Sequence, residues 1–455
     1  MTDLDARADL DTAAWGAKHV HDPTIVRDDD GTYWLFSTDA RSDGPVRGGV
    51  QIRRSSDLVT WEFHGWAFDG VPAPAAAWSG AHGLWAPDVV RVPTPAGPEW
   101  RMYYSASTFG SRRSAIGLAV APHPAGPWAD RGVVVASEHH EPPEGLTQPN
   151  AIDANLVTEP DGTQWLVYGS FFGGIHVLPV DPATGLVPDA PAPGTLHTAP
   201  GTLLARRART ADNGAVEGAF VLPRPGGGWA LVVSYDSLAS SYHVRAAVGD
   251  AVTGPFRDRA GRTMSDDGPD VDPWSIGVPI LAGHRHAGGP GVLAPGHASV
   301  LTETVPTASG PLERHLLVHH VRDADAPTEH RLQVRRLVWT HDGWPLVSPQ
   351  PWAGAAREDD DQACWPTDPA VLEGTWESLA PGAAPTRVQD GVVGELSPRS
   401  GVRALGEGRF TWTADDGATV SAVVHPGWDA VRGRATLCLG ALDDAGRVTL
   451  ATRLP

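Results

Sequence analysis

The chain has 455 residues and carries 35 lysines and arginines against 54 aspartates and glutamates, which gives a formal net charge of −19. Nucleic acids and anionic membranes repel so acidic a chain, so we expect neither as a partner. Two cysteines, Cys364 and Cys438, are too few for a disulfide framework, and no apolar stretch is long enough to cross a bilayer.

The chain opens with a polar segment, which we interpret as an N-terminal lead-in over residues 1–18. This segment lacks the basic region and following apolar run that a secretory leader would have. We therefore expect a cytoplasmic protein. The sequence leaves the oligomeric state unknown.

One pattern occurs five times between about residues 20 and 350. It consists of an acidic residue or histidine, a short apolar run, and a second strand-like run after a turn or loop. In the first copy Asp22 precedes Ile25 and Val26, and a turn at Asp29–Gly31 leads into Thr32–Ser37. Such a unit is typical of two antiparallel strands joined by a hairpin. The later copies open at Asp88, Asp153, Glu217 and His297.

A long repeat made of strands indicates a radial array, in which each copy buries its apolar faces against its neighbours. The first four openings are 64–66 residues apart and the last interval is 80 residues. Five copies predict an all-β fold, a five-bladed β-propeller over residues 19–350. Since the inner strands of a propeller face one axis, we expect all five opening residues to converge at one end of the central channel.

The repeat stops after residue 350. The charge run Arg357–Asp361 predicts a solvated linker, which we place at residues 351–372. From Gly374 onward, short alternating segments separated by turn signals such as Asp415–Gly417 predict a small β-barrel or sandwich domain over residues 373–455. We expect this domain to pack against the propeller, and no residue in it supports an accessory sugar-binding role.

Each opening residue has a structural explanation when it is taken alone. An aspartate before a proline, such as Asp22, commonly starts a turn by binding its own backbone. Repetition at one position favours a functional site, because neighbouring buried carboxylates raise one another's pKa and are costly to keep. Cleavage of a glycosidic bond requires two such groups, one to activate water or attack, and one to protonate the departing oxygen.

The chain resembles glycoside hydrolase family 43, and within it the α-L-arabinanases of the arabinan endo-1,5-α-L-arabinosidase type. The motifs that carry the resemblance are His21-Asp22-Pro23-Thr24-Ile25, Leu84-Trp85-Ala86-Pro87-Asp88, Asn150-Ala151-Ile152-Asp153, Gly169-Ser170-Phe171-Phe172-Gly173-Gly174-Ile175, Val216-Glu217-Gly218 and Pro295-Gly296-His297. Two segments depart from the family pattern. Gly218-Ala219-Phe220 lacks the usual proline after the acid, and Phe172 stands where arabinanases commonly have tryptophan.

The resemblance implies an inverting reaction with Asp22 as general base and Glu217 as general acid. It implies that Asp153 holds the acid and raises its pKa, and that His297 binds a metal, commonly calcium, largely through water. It implies no organic cofactor. Substrate contacts are expected at Trp85, Asp88, Gly110, Asn150, Ser170 and Phe171. For Trp85 and Phe171 the alternative is packing of the channel wall.

The activity expected from this resemblance is hydrolysis of α-1,5-linked arabinan or arabino-oligosaccharides. An exo-acting α-L-arabinofuranosidase or a β-xylosidase of the same family would keep the carboxylates and differ in its rim loops. A non-catalytic sugar-binding propeller and a structural scaffold are alternatives of other classes. A complete set of three carboxylates argues against both, because a pure binder has no use for a base together with a proton donor.

Overall fold

In a computed structural model the chain forms five β-sheets around one axis and a sixth sheet after them. The structure describes residues 11–42, 44–94, 97–144, 146–188, 190, 193–208, 211, 215–382, 388–396 and 401–455. The first ten residues of the predicted lead-in therefore lie outside the described residues. Within these ranges, none of the helices has the length and apolar character needed to cross a membrane.

Each blade is an antiparallel sheet whose four strands follow one another in chain order from the channel outward. The strands of blade one are β1 (Thr24–Arg27), β2 (Tyr33–Ser37), β3 (Gln51–Ser55) and β4 (Glu62–Trp66). A helix, α1 (Ala73–Ser79), leads to blade two, which has β5 (Leu84–Val92), β6 (Glu99–Ser107), β7 (Ser114–Ala121) and β8 (Ala129–Ala136). The strands of blade three are β9 (Asn155–Thr158), β10 (Gln164–Tyr168), β11 (Ile175–Val180) and β12 (Thr202–Ala205).

Blades four and five complete the circle. Blade four has β13 (Val216–Pro223), β14 (Trp229–Tyr235), β15 (His243–Gly249) and β16 (Val278–Leu281). After a short strand, β17 (His284–Arg285), blade five has β18 (Gly291–Thr307), β19 (Gly310–Asp323), β20 (His330–Trp339) and β21 (Pro345–Val347).

The first strands of the five blades contact one another in a closed ring. β1 contacts β5, β5 contacts β9, β9 contacts β13, β13 contacts β18, and β18 contacts β1. Apolar side chains of neighbouring blades pack between the sheets, which is why β2 and β14 are buried along their whole length. The ring is joined between blades five and one by a hydrogen bond of 2.7 Å from the Ser299 hydroxyl to the Pro23 carbonyl. The predicted five-bladed propeller is confirmed.

The described part of the N-terminal segment packs on blade one. It contains a 3₁₀ helix (Thr12–Ala14), and the buried Trp15 packs edge-on against Phe63 and Trp66. The buried guanidinium of Arg53 donates to two carbonyls of this segment.

The C-terminal residues form a seven-stranded antiparallel sheet. Its strands are β22 (Gly374–Leu379), β24 (Val392–Leu396), β25 (Arg403–Gly406), β26 (Arg409–Thr413), β27 (Thr419–Asp429), β28 (Arg434–Asp443) and β29 (Val448–Arg453). One further strand, β23 (Gln389–Asp390), pairs in parallel with β17 and so extends the sheet of blade five. The predicted C-terminal β-domain is therefore present, and backbone hydrogen bonds join it to the propeller.

The interpretation of the charge run at 357–361 as solvated is wrong. Glu358, Asp360 and Asp361 are buried between blade five and the C-terminal sheet. The carboxylate of Asp360 accepts hydrogen bonds from the buried guanidinium groups of Arg314 and Arg336, at 2.5 and 2.7 Å. Two charges of this segment, Glu358 and Asp360, are therefore paired with a buried arginine inside the protein. Two 3₁₀ helices, Gln362–Cys364 and Pro369–Leu372, continue from it to β22.

Candidate active site

One residue in or just before the first strand of each blade has a left-handed backbone conformation. It directly follows the residue that pairs with the second strand of the same blade. The five residues are Asp22 (φ 50°), Ala86 (φ 40°), Asp153 (φ 59°), Gly218 (φ 56°) and His297 (φ 48°). This conformation is uncommon for residues other than glycine, costs on the order of 1–3 kcal/mol, and clusters at functional sites. The fold thus repeats one left-handed position five times around the channel, and four of the five residues that occupy it are not glycine.

The five left-handed residues differ from the five opening residues that we predicted to converge at one end of the channel. In blade two the left-handed residue is Ala86, and Asp88 lies two residues further along, paired with Tyr103. Asp88 is buried and its Oδ2 accepts the backbone N–H of Leu156 at 2.7 Å. Burial raises the pKa of Asp88 to about 7 in spite of that bond. The prediction that Asp88 joins the other four residues at the channel mouth was therefore wrong.

A second repeated position lies in or just after the second strand of each blade, and in four blades its side chain forms a hydrogen bond with the left-handed residue of the next blade. Side chains at this position accept the backbone N–H of that residue. The bonds are Ala86 to Thr38 (2.8 Å), Asp153 to Ser105 (3.0 Å), His297 to Ser234 (2.8 Å) and Asp22 to His320 Nδ1 (3.3 Å). In blade three the position is Gly169, and the N–H of Gly218 instead donates to Asp153 Oδ2 at 3.2 Å. Sequence reasoning missed these acceptors, although the serines that recur at the ends of the second strands were a signal.

Three of the left-handed residues, Asp22, Asp153 and His297, border a cavity of about 700 Å³ at one end of the channel. Asp22, Asp153, Glu217 and His297 all contribute to its walls, so the structure brings together the three predicted catalytic carboxylates and the predicted metal ligand. The cavity is also lined by Trp85, Gly110, Asn150, Ser170 and Phe171. Asp88 does not line this cavity but borders a smaller one of about 20 Å³, together with Asp22, Asp153 and His297.

Asp22 is held as an ionised carboxylate. Its Oδ2 accepts a hydrogen bond of 2.6 Å from the Thr38 hydroxyl, and its Oδ1 lies 2.7 Å from His21 Nδ1 and 3.1 Å from His297 Nδ1. Burial alone would raise the pKa of Asp22, but the charges of His21 and His297 outweigh it and hold this pKa well below its usual value. A carboxylate in this state can accept a proton from water.

Asp153 and His297 lie beside it, and the pKa of each is raised, for different reasons. Burial raises the pKa of Asp153 to about 7; His297 opposes this rise, and Glu217 and Asp22 add to it. Burial would lower the pKa of His297, but Asp22 and Asp153 outweigh burial and raise it to about 9. The site therefore contains three carboxylates and needs a positive charge, which this imidazole can supply when protonated.

Both oxygens of Glu217 are engaged by hydroxyl groups. The Ser170 hydroxyl donates to Oε2 at 2.9 Å, and the phenol of Tyr242 donates to Oε1 at 2.8 Å. Burial, followed by the charge of Glu217, raises the pKa of Tyr242 well above its usual value, so the phenol is a neutral donor. Sequence reasoning assigned Ser170 to substrate and missed Tyr242, because Tyr242 comes just before a third strand and no pattern points it toward the channel.

The predicted aromatic contacts lie on the cavity wall and remain partly exposed. Trp85 is half-buried, and Phe171 and Phe172 are 43% and 38% exposed. The guanidinium of Arg112 lies 4.3 Å from the centroid of the Phe172 ring. Asn150 is buried, and Gly110 has a left-handed backbone (φ 74°). These residues surround the carboxylates with flat apolar surface and a small number of polar groups, as is usual for small-molecule sites.

Two sets of residues offer atoms that could bind a metal. Among the described residues, His21, Asp22 and His320 bring three ligand atoms within 4.8 Å of one another. Two imidazoles are a poor set for calcium, which prefers oxygen, and His320 Nδ1 already accepts the N–H of Asp22. His297 lies outside this group.

His297 has the surroundings expected of a metal-bound imidazole. A histidine that binds a metal through one nitrogen usually donates its other N–H to a carboxylate, and His297 Nδ1 lies 3.1 Å from Asp22 Oδ1. The adjoining cavity of about 20 Å³ has room for one water-sized species, and further water ligands would lie in the large cavity, which His297 also lines. These residues fit a cation that takes one protein nitrogen and completes its coordination with water.

Comparison with known proteins places these features in a family. The profile of glycosyl hydrolases family 43 matches residues 16–345. The chain is 26% identical to the extracellular endo-alpha-(1->5)-L-arabinanase 2 of Bacillus subtilis (strain 168), over 95% of this chain and 92% of that protein. It is 31% identical to the extracellular exo-alpha-(1->5)-L-arabinofuranosidase ArbA of Cellvibrio japonicus (strain Ueda107), over 73% of this chain and 88% of that protein.

A solved structure extends the likeness to both parts of the chain. The family 43 glycoside hydrolase YxiA of Bacillus licheniformis superposes with a TM-score of 0.77 at 26% identity, and the match covers 96% of this chain and 99% of that one.

The expectation of a cytoplasmic protein is overturned, because both relatives are named as extracellular enzymes. That expectation rested on the lack of a visible leader, which is not a positive signal for any compartment.

Proposed function

The chain belongs to glycosyl hydrolases family 43, and we propose that its substrate is α-1,5-linked L-arabinan or arabino-oligosaccharides. Its similarity to an endo-arabinanase over nearly the whole length of both chains supports this substrate. One structural observation carries the proposal. An ionised Asp22 and a hydroxyl-bonded Glu217 line the same cavity, with partly exposed aromatic rings around them.

Asp22 is proposed as the general base. The neighbouring imidazoles and Thr38 keep its carboxylate ionised, so it can take a proton from a water molecule as that water attacks the anomeric carbon. Glu217 is proposed as the general acid, which delivers its proton to the oxygen of the departing sugar. Attack by water on one face and departure from the other invert the anomeric centre.

Asp153 is proposed to hold this arrangement in place. Its Oδ2 accepts the N–H of Gly218, the residue that follows the acid, and so fixes the backbone from which Glu217 projects. Asp153 also interacts electrostatically with Glu217, and this interaction is proposed to tune the acid.

Calcium is proposed as the bound cation, with His297 as its protein ligand and water as its other ligands. When bound, such an ion supplies positive charge next to three carboxylates. His297 then acts as a link, since its Nδ1 contacts Asp22 and orients the carboxylate of the base.

An exo-acting α-L-arabinofuranosidase is the second candidate. The identity of 31% to an exo-acting enzyme supports it. Endo-acting relatives match both larger and similar shares of this chain, at 95% and 74%, so we favour endo action. The two candidates share all proposed catalytic residues and differ in the products they release.

A time course on linear arabinan tests the proposal. We expect a ladder of arabino-oligosaccharides early in the reaction, whereas an exo-acting enzyme would release one short product from the start. NMR of the first product should show the β-anomer, which is the inverted configuration. Glu217→Gln and Asp22→Asn should each lower kcat by about 10²–10⁴-fold.

Asp258→Asn is the matched control, because it removes another buried aspartate, which belongs to blade four and lines neither the large nor the small cavity. We expect this variant to keep its rate on arabinan. Full activity of Glu217→Gln, or release of the α-anomer, would contradict the proposed mechanism.

A further inference from the structure

We propose that Tyr242 and His320 are positioning residues that hold the acid Glu217 at a fixed place relative to the base Asp22. This inference rests on the proposed function. Neither residue lines the large cavity, and both are almost completely buried, at 1% and 0% exposure. Their effect on the reaction must therefore pass through the two carboxylates that they contact.

Tyr242 determines which oxygen of Glu217 carries the proton of the acid. The phenol of Tyr242 donates to Oε1 of Glu217, and its raised pKa keeps that hydrogen in place. The phenol hydrogen of Tyr242 points at Oε1, where a second hydrogen would collide with it. The proton of a protonated Glu217 therefore resides on Oε2. When Glu217 carries that proton, the Ser170 hydroxyl, 2.9 Å from Oε2, rotates and accepts it, in place of the bond that the hydroxyl donates to the ionised acid.

Tyr242, His320 and His21 form a stack of three rings. The Tyr242 ring is parallel to that of His320, with centroids 5.7 Å apart and planes inclined by 6°. The His320 ring in turn stacks on His21, at 3.7 Å and 20°. One end of this stack donates to Glu217, and the other end contacts Asp22, through His21 Nδ1 at 2.7 Å. A stack of rigid rings therefore links the proposed acid to the proposed base.

His320 differs from the residues at the equivalent position of the other blades. The residues equivalent to His320 are Thr38, Ser105 and Ser234 in three other blades, where a hydroxyl suffices to accept the N–H of the next blade. Blade five uses an imidazole for the same bond, and only a flat ring can also stack. Gly296 accommodates the stack, because a Cβ there would lie 2.2 Å from the Tyr242 ring.

The chemical consequence follows from the charge that develops on Glu217. As the proton leaves, this carboxyl becomes an anion, and the Tyr242 hydrogen bond becomes charge-assisted and stronger. A substrate whose leaving group is a sugar alcohol depends on that step. A substrate that releases an acidic phenol departs without a proton and does not depend on it.

The test uses aryl arabino-oligosaccharides whose phenols differ in acidity, together with a linear arabino-oligosaccharide. For Tyr242→Phe we expect kcat on the oligosaccharide to fall about 10–100-fold while KM stays within about twofold. On a dinitrophenyl substrate we expect kcat to stay within about threefold, because no proton is needed there. An equal loss of kcat on every leaving group would overturn the role of Tyr242.

A pair of variants tests the stack. His320→Phe keeps a flat ring between Tyr242 and His21 and removes the acceptor for the Asp22 N–H. His320→Ser keeps an acceptor like that of the other blades and removes the ring. We expect the phenylalanine variant to retain the higher kcat on the oligosaccharide. If the serine variant is the more active, His320 serves only to close the ring of blades.

Two controls separate the possible failures. Tyr168→Phe removes another buried phenol, which donates to the Pro200 carbonyl at 2.7 Å outside the cavity, and should change no leaving-group dependence. Glu217→Gln tests the proposed function itself. An active Glu217→Gln enzyme would reject the acid assignment, whereas an inactive one beside a uniformly slowed Tyr242→Phe enzyme would reject only this inference.

Discussion

The Thr38 hydroxyl donates a hydrogen bond of 2.6 Å to Asp22 Oδ2 while it accepts the N–H of Ala86 at 2.8 Å. The bond from blade two fixes the oxygen of the hydroxyl, and its single hydrogen is thereby directed at the proposed base. Thr38 therefore couples the junction between blades one and two to the orientation of the carboxylate.

Replacement of Thr38 by valine should weaken catalysis. The variant loses a hydrogen bond to a charged group, which is worth about 1.5–3 kcal/mol, so kcat/KM on linear arabino-oligosaccharides should fall about 10–100-fold. Thr38→Ser retains the hydroxyl and should stay within a few-fold of the parent enzyme. A valine variant as active as the serine variant would contradict this role.

Much of the fold could be predicted from the sequence because its signals are local. Each hairpin couples a short apolar run to a turn, and five such units leave few arrangements other than a propeller. Asp22, Asp153 and His297 could be placed together because each occupies the same left-handed position of its blade. These are residues for which the repeat in sequence and the repeat in structure coincide.

The prediction failed where the sequence repeat and the backbone repeat differ. The nearest acid in blade two is Asp88, but an irregularity between Trp85 and Asp88 puts Ala86 at the left-handed position. In blade four the acid precedes that position by one residue. Glu217 nevertheless lines the large cavity, whereas Asp88, two residues beyond the left-handed position of its blade, does not. Composition alone does not reveal such an irregularity in a strand.

Long-range pairing is the second kind of information that the sequence did not provide. The charge run at 357–361 has the composition of a solvated segment, yet Asp360 is paired with Arg314 and Arg336 from two strands of blade five. Tyr242 reaches Glu217 across 25 residues by a similar tertiary contact. Such partners become visible only when the sheets have been assembled.

Removal of the proposed calcium should lower activity. We expect about one calcium ion per chain in purified protein by elemental analysis, and a loss of rate after dialysis against a chelator that added calcium restores. His297→Ala should lose both the metal and the response. His425→Asn is the control, since His425 is a buried histidine of the C-terminal sheet that does not line the cavity.

Calcium-free protein with full activity, unchanged by the chelator, would contradict the metal assignment. In that case the positive charge of the site is the His297 imidazolium, whose pKa the two aspartates raise to about 9 against the effect of burial.

Gly218 is predicted to tolerate no side chain. A Cβ at this position would lie 3.0 Å from the Cα and Cγ atoms of His297, and the backbone is left-handed (φ 56°). Gly218→Ala should therefore displace His297 and the adjacent Glu217, and lower kcat by about tenfold or more, with a loss of about 1–3 kcal/mol in the free energy of unfolding.

Gly226→Ala separates backbone strain from the steric clash. Gly226 is also left-handed (φ 87°), but a Cβ there would meet no atom within 4 Å. This variant should lose stability and keep its kcat, as measured by urea unfolding and by initial rates on arabinan. Equal kcat in the two alanine variants would show that the contact with His297 does not matter.

The stability of the buried charge cluster should depend on pH through Glu358. Burial raises the pKa of this carboxyl from its usual value of 4.5 to about 7, although Arg336, 3.6 Å away, and the Ala353 N–H oppose the rise. Because the folded protein then binds the proton more tightly than the unfolded chain, the contribution to stability is complete below about pH 4.5. It is lost as the pH rises through 7.

Replacement of Glu358 by glutamine keeps an acceptor for the Ala353 N–H and removes the charge that burial disfavours. We expect little change in the free energy of unfolding at pH 5 and a gain of about 1–3 kcal/mol at pH 8, measured by urea denaturation at both values. Glu373→Gln, at an exposed glutamate, should behave alike at the two pH values. A glutamine variant less stable than the parent at pH 8 would mean that the ion pair with Arg336 outweighs the cost of burying the carboxylate.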